Sequence, residues 1–247
     1  MEHKFTRLQV MLVAGVLAVI AFILRKIQLA TAFDVEGARP GAGIGFAIVT
    51  VLAVLAFAGY AWSLRGRKKY PAITSRSLPV LAVSAVASIL LLVGSMILAV
   101  RSQREGDLLV AALGALTAVN WGATATARYM GKKIPVAVLL LPAVYYVVYL
   151  ICQFRFWTRD PVILDYCYDL FALICNMFAL FHLGGYAFDK GSRRLTVFFA
   201  MSGMFFNAAA LAGAELTEAL GYLGAGLWLG ANLWILLRPG KKRQTEE

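Results

Sequence analysis

Charge is scarce in this chain, and so are histidine and cysteine. Only 15% of its 247 residues are Asp, Glu, Lys or Arg, where a soluble domain carries about 25%. There are two histidines, one of them His3 in the N-terminal tail, which excludes histidine-rich di-iron chemistry. The three cysteines, Cys152, Cys167 and Cys175, form no CxxC pair and have no histidine at metal-ligand spacing. Cys152 and Cys167 fall near the same ends of their segments; unpaired core thiols are expected rather than a bridge. There is no GxSxG elbow and no HExxH helix. No Walker loop is present, so ATP is not used by this chain, and there is no TVGYG filter. No lysine sits in the middle of an apolar segment, which leaves a retinal Schiff base no attachment point. The runs Gly131-Lys132-Lys133 and Gly240-Lys241-Lys242 follow apolar segments and read as snorkelling anchors. No cofactor is expected, and the residues identify no metal.

Apolar residues are abundant: 61% of the chain is hydrophobic and the mean hydropathy is +0.75. They come in eight blocks, each near the roughly 20 residues needed to cross a bilayer as a helix. The blocks are 8–29, 42–64, 78–100, 107–128, 134–154, 162–188, 195–213 and 217–237. Charge with Gly or Pro separates them, as at Arg39-Pro40-Gly41, Gly131-Lys132-Lys133 and Pro239-Gly240. The expected fold is all-α, a polytopic membrane bundle of eight transmembrane helices with almost nothing left for a soluble domain. The weakest division is between the last two, because Glu215 and Glu218 interrupt one long apolar run. Residues 1–24 resemble a signal peptide but lack a small-x-small cleavage site, so they read as a retained first span.

The net charge of +11 sits in short loops. That pattern points to membrane topology and anionic headgroups, not to nucleic acid. Seventeen of the 24 Lys and Arg residues fall in the N-terminus, loops 2–3, 4–5 and 6–7, and the C-terminus. Nine of the 13 acidic residues fall at the opposite ends. Cytoplasmic loops keep the basic excess, so both termini are expected to face the cytoplasm across a plasma membrane such as the bacterial inner membrane. Arg25-Lys26 is out of place on this scheme and is expected to snorkel to the outer headgroups.

Short matches recur in order. Gly59-Tyr60-Ala61-Trp62 and Gly185-Tyr186-Ala187-Phe188 close helices 2 and 6; Ser75-Arg76-Ser77-Leu78 and Ser192-Arg193-Arg194-Leu195 open helices 3 and 7. Helices 4 and 8 each carry an Asn near a Trp, Asn120-Trp121 and Asn232 with Trp234. The pattern reads as a parallel duplication of a four-helix half, 1–133 and 134–247.

The densest polar set in any apolar block is in helix 6: Asp165, Asp169, Asn176 and His182. Ionisable groups at membrane depth are costly and default to a functional-site hypothesis. At 100° per residue Asp165, Asp169 and Asn176 share one face, which should point into the bundle. Two carboxylates at i and i+4 repel when both are charged. A bound cation, a shared proton, or a pairing with Arg155 or Arg159 at the end of helix 5 would each resolve this. The plain reading is the last, an ion pair fixing helix 5 on helix 6. Glu215 and Glu218 extend the set into an acidic vestibule or form a solvated turn. Asn120, Asn207 and Asn232 read first as interhelical packing glue, and His182 as a core residue. The aromatic group Tyr145, Tyr146, Tyr149, Phe154, Phe156, Trp157, Tyr166 and Tyr168 reads as an interfacial belt, or as the lining of an organic-cation cavity.

These readings favour a small transporter or channel-like protein for a cation or small polar solute. Its expected ligand-binding residues are Asp165, Asp169, Asn176, Asn207, Glu215, Glu218 and Arg155. The alternatives are a non-catalytic sensor or assembly subunit docking a partner through Arg65–Lys69 and Lys241–Arg243, with a homo-oligomer open, and a lipid-modifying enzyme using the Asp pair beside a lateral opening.

Overall fold

The computed structural model describes residues 7–34, 37–38, 43–64, 69–74, 76–102, 104, 106–157 and 166–238. Asp165, Arg159 and the basic stretches 65–68 and 241–243 lie outside them. Each apolar block becomes one helix: α1 Arg7–Ala32, α2 Ile44–Ser63, α3 Leu78–Arg101, α4 Asp107–Met130, α5 Val136–Trp157, α6 Cys167–Gly184, α7 Arg193–Leu211 and α8 Leu216–Leu236. All eight are long and apolar enough to cross a membrane. The α7–α8 break falls beside Glu215, which occupies the N-cap position of α8. A backbone ladder of two-residue strands, β1 Phe33–Asp34 and β2 Gly37–Ala38, closes the α1–α2 connection. That hairpin was not foreseen, because its backbone pairing leaves no alternating apolar pattern to read.

Six helices form a ring in the order α3, α4, α5, α6, α7, α8, with α8 returning to α3. α1 and α2 lie outside it against α7. Phe46 of α2 stacks on Tyr168 of α6 (4.5 Å between centroids), and Phe57 of α2 meets Phe205 of α7 edge-on (6.3 Å). The duplication of a four-helix half is not shown. In the second half consecutive helices pack on one another throughout, whereas α1 and α2 pack chiefly on α7 rather than joining the α3–α4 pair.

The distribution of side chains is that of a lipid-facing bundle. Leu52, Leu55, Ile89, Met96, Val119 and Ile151 are exposed, while Asn176, Asn207, Asn232, Arg128, Thr117 and Ser202 are buried. Water would favour the reverse; hydrocarbon favours this, because the polar groups must be satisfied inside the protein.

The two ends of the bundle differ. At the end rich in Lys and Arg, the basic end, a 3-10 turn Tyr70–Ile73 bridges several connections. The Tyr70 amide donates to Asp189 Oδ1 (2.8 Å), and its hydroxyl accepts from the Ile134 amide (2.8 Å). Arg194 Nε donates to the Leu64 carbonyl (2.6 Å), and Arg193 Nε to that of Leu236 (2.9 Å). The turns α3–α4 and α7–α8 lie at the opposite, acidic end. There Arg25 corrects an expectation: it is buried rather than snorkelling, donates to Gln28 Oε1 (2.9 Å) and lies 4.9 Å from the Tyr168 ring centroid. A flat guanidinium can be covered by an aromatic face inside the protein, whereas its neighbour Lys26 is exposed. None of the three cysteines forms a disulfide.

Small residues set the closest crossings. A Cβ on Gly224 of α8 would stand 2.9 Å from the Ala87 carbonyl oxygen of α3, and one on Gly94 of α3 would stand 3.1 Å from that of Thr217. A backbone atom cannot swing aside as a side chain can. Gly226, two residues on, has only Asn207 Cβ at 4.0 Å. Gly224→Ala should therefore lower the thermal unfolding temperature in detergent, with overpacking of about 1–3 kcal/mol outweighing the gain in helix propensity. Gly226→Ala should leave it unchanged or raise it slightly.

Candidate functional site

A cavity of about 630 Å³ is sunk into the acidic end of the ring. Its walls are Leu91, Gly94, Ser95 and Leu98 of α3, Tyr145, Tyr149, Gln153, Phe156 and Trp157 of α5, and Thr217, Glu218 and Gly221 of α8. Arg101, Arg104, Asp107, Tyr166, Gly213 and Glu215 complete the lining. Arg101, Arg104, Gly213 and Glu215 are exposed, so the mouth is at the acidic end. With a rise of 1.5 Å per residue, Leu91 and Tyr145 lie about 15–18 Å in from the ends of their helices.

Local sequence explains the space. Gly221 presents no side chain, and nothing stands within 4 Å of where its Cβ would be. Gly114 of α4 admits the Ser95 hydroxyl and the Tyr145 ring, which would clash with a Cβ there. Gly106 adopts φ 98°, a left-handed conformation open to glycine. That turn starts α4 while the Arg104 amide donates to Asp107 Oδ2 (3.1 Å). The Arg104 guanidinium lies 5.1 Å from the Phe156 ring centroid, and Trp157 stacks on Tyr166 (5.5 Å).

The charge is uneven. Arg101, Arg104 and Glu215 are at the exposed rim with the half-buried Asp107, and Glu218 is partly buried in the wall. Beneath it the lining carries hydroxyls, Gln153 and aromatic faces, with no further charge among the described residues. The Tyr149 hydroxyl is hydrogen-bonded to Gln153 and faces both Glu218 and Asp169.

Below the cavity the ring interior is closed. Trp121 of α4 and Trp228 of α8 stack almost parallel, 4.8 Å apart with 4° between planes, and both are buried. They lie about 20 Å from the acidic ends of their helices. Beyond them Arg128 Nη1 donates to Asn232 Oδ1 (2.7 Å), and Asn232 Nδ2 donates to the Trp228 carbonyl (2.8 Å).

The residues singled out from sequence separate into three groups. Glu215 and Glu218 line the cavity. Asp169 stands behind its wall: α6 begins at Cys167, so Asp169 is in the first turn rather than about 10 Å deep, where a carboxylate suits the helix N-terminus. Its Oδ1 accepts from the Tyr222 hydroxyl (2.8 Å), and Arg25 of α1 is a cation that faces it. Arg155 is exposed at the end of α5. Asn176 and Asn207 form a reciprocal pair, each amide nitrogen donating to the other's oxygen (2.9 and 2.8 Å). That closed pair clasps α6 to α7.

Of the aromatic group, Tyr145, Tyr149, Phe156, Trp157 and Tyr166 line the cavity, Tyr146 and Tyr168 are buried in packing, and Phe154 is exposed. Asn120 Nδ2 donates to the Val138 carbonyl (2.7 Å), joining α4 to α5 as interhelical glue. His182 is enclosed by Phe178, Phe181 and Phe199.

Two features were missed. Arg128 was counted as a loop cation, yet it is buried in α4. Its signal was there: Trp121, Thr124 and Arg128 fall at i, i+3 and i+7, one stripe of a helix. The Trp121–Trp228 stack joins residues 107 apart, beyond the reach of local spacing. Among the described residues no group of three or more His, Cys, Asp or Glu side chains is placed to hold a metal ion. Comparison with protein families, with curated proteins and with solved structures finds no match.

Asn176→Leu or Asn207→Leu alone strands the partner amide in the apolar interior. Each should lower stability, while the double variant should be less destabilised than the two single effects combined. A double-mutant cycle on thermal unfolding should give a coupling of about 1 kcal/mol.

Proposed function

We propose that this integral membrane protein is a small transporter or solute-binding protein whose ligand is a small organic cation, taken up in the cavity between α3, α5 and α8. The observation that carries this reading is the cavity itself. It opens at one end, stops short of the buried Trp121–Trp228 stack, and its wall holds Glu218 beside aromatic faces. A carboxylate with low-dielectric surroundings attracts a cation more strongly than one in bulk water. Tyr145, Tyr149 and Trp157 add cation–π surface for the ligand's charge and apolar area for its body. Arg101 and Arg104 at the rim oppose the approach of a cation, and Asp107 and Glu215 beside them offset that field.

The basic excess at one end supports a cytoplasmic placement of that end and of both termini. The cavity then opens outward. Alternating access would require parting of the tryptophan stack and of the Tyr70–Ile73 turn. The lipid-enzyme reading is less well supported, because Asp169 is covered by Tyr222 and α6 is flanked by α5 and α7.

Glu218→Gln is nearly isosteric and removes the charge. In proteoliposomes and in equilibrium binding with choline, tetraethylammonium and a primary alkylamine as probes, it should weaken binding about tenfold or more, as expected for a lost charge partner. Lys132→Gln, exposed at the basic end just past α4, should leave binding unchanged. Binding by wild type that survives Glu218→Gln intact, or no binding of any probe, contradicts the proposal. Topology has its own check: a green fluorescent protein fused at either terminus should fluoresce, and alkaline phosphatase at the same positions should be silent.

A further inference from the structure

A buried guanidinium with no acidic partner among the described residues is the least settled feature of this bundle. Arg128 is 4% exposed, and its Nε and Nη2 have no hydrogen-bond partner among the described residues. Only Nη1 is used, by Asn232. The two free groups are not scattered. Nε–H and Nη2–H form the side edge of the guanidinium, two parallel donors whose spacing matches the two oxygens of a carboxylate or phosphate. The indole N–H of the neighbouring Trp228 is also buried with no hydrogen-bond partner among the described residues. The Arg128 guanidinium lies 5.6 Å from the Trp228 ring centroid. Tyr70 faces it from the turn at the basic end.

We propose that Arg128 is the principal ligand of an oxyanion site inside the basic end of the ring, taking a carboxylate or phosphate group side-on. The physical reason is charge balance. A guanidinium held in low dielectric and unpaired is strongly unfavourable, and a bidentate oxyanion supplies both the missing charge and the two missing acceptors. The bond to Asn232, which Asn232 itself secures on the Trp228 carbonyl, fixes the plane of the guanidinium and leaves the fork edge free. Arg128 is two residues from the end of α4, so by helix rise it lies about 3 Å from the basic end of the span. An anion can arrive there from solution or as a lipid headgroup phosphate. The site is separate from the acidic-end cavity, with the tryptophan stack between them, and does not depend on the organic-cation reading.

The test uses the full chain purified in a maltoside detergent without added phospholipid. Thermal unfolding is followed as chloride is replaced by acetate or by inorganic phosphate at constant ionic strength. A parallel arm adds short-chain phosphatidylglycerol in chloride. In wild type the unfolding temperature should rise and saturate with an oxyanion, as linkage requires for a ligand bound to the folded state. A response to acetate or phosphate identifies a free solute, and a response confined to the lipid identifies a headgroup; both support the site. Arg128→Gln should weaken the apparent affinity roughly thirtyfold or more. Arg128→Lys, which keeps the charge but not the fork, should fall between. No saturable response in wild type, a response to chloride equal to that of the oxyanions, or an undiminished response in Arg128→Gln overturns the proposal. If Arg128→Gln does not fold, the wild-type anion series and Arg128→Lys decide it.

Discussion

A polar side chain in hydrocarbon has no water to satisfy it, and the packing of this bundle follows from that constraint. Apolar contact between helices gives little preference over contact with lipid, since lipid tails are as apolar as leucine. What distinguishes one arrangement from another is where the amides, hydroxyls and charges find partners. Asn176 with Asn207, Asn120 with the Val138 carbonyl, Asp169 with Tyr222 and Arg128 with Asn232 each join two different helices. Together they tie α4 to α5, α6 to α7, α6 to α8 and α4 to α8, while glycine brings α3 and α8 close enough to shut the ring.

The same rule sorts structural polar groups from functional ones. Asn176 and Asn207 satisfy each other through one bond each way, buried between α6 and α7 and away from the cavity lining. Glu218 stands in the wall of a cavity, and Arg128 is buried with two donors unpaired among the described residues. The two lie on opposite sides of the Trp121–Trp228 stack, so the interior offers negative charge toward one end and positive charge toward the other.

The sequence announced the helices well. Runs of about 20 apolar residues bounded by charge can do little else in a membrane, and even the division beside Glu215 falls where the acidic residues interrupt the run. The start of α6 was harder to read, because Cys167, Tyr168 and Asp169 suit either a deep helix or its first turn. Composition shows that a polar group in a span needs shelter but not which neighbour gives it. Asp169 was weighed against Arg155 and Arg159 on the adjacent helix; Arg25, 144 positions away on a helix outside the ring, is a cation that faces it. Arg128 was hidden by its place three residues before a Gly-Lys-Lys run, where positive charge normally marks a loop. The short matches that read as a duplication have no counterpart in the packing, where α1 and α2 lie against α7.

Cysteine accessibility measures the central claim directly. In a chain whose three native cysteines are serine, Ser95→Cys and Gly221→Cys in the cavity wall should react with a membrane-impermeant methanethiosulfonate from the acidic-end side. Met96→Cys on the lipid face and the buried Thr124→Cys, past the tryptophan stack, should not. Equal silence at all four positions, or labelling of Ser95→Cys and Gly221→Cys only from the basic-end side, would mean that no water-filled cavity enters the ring from the acidic end.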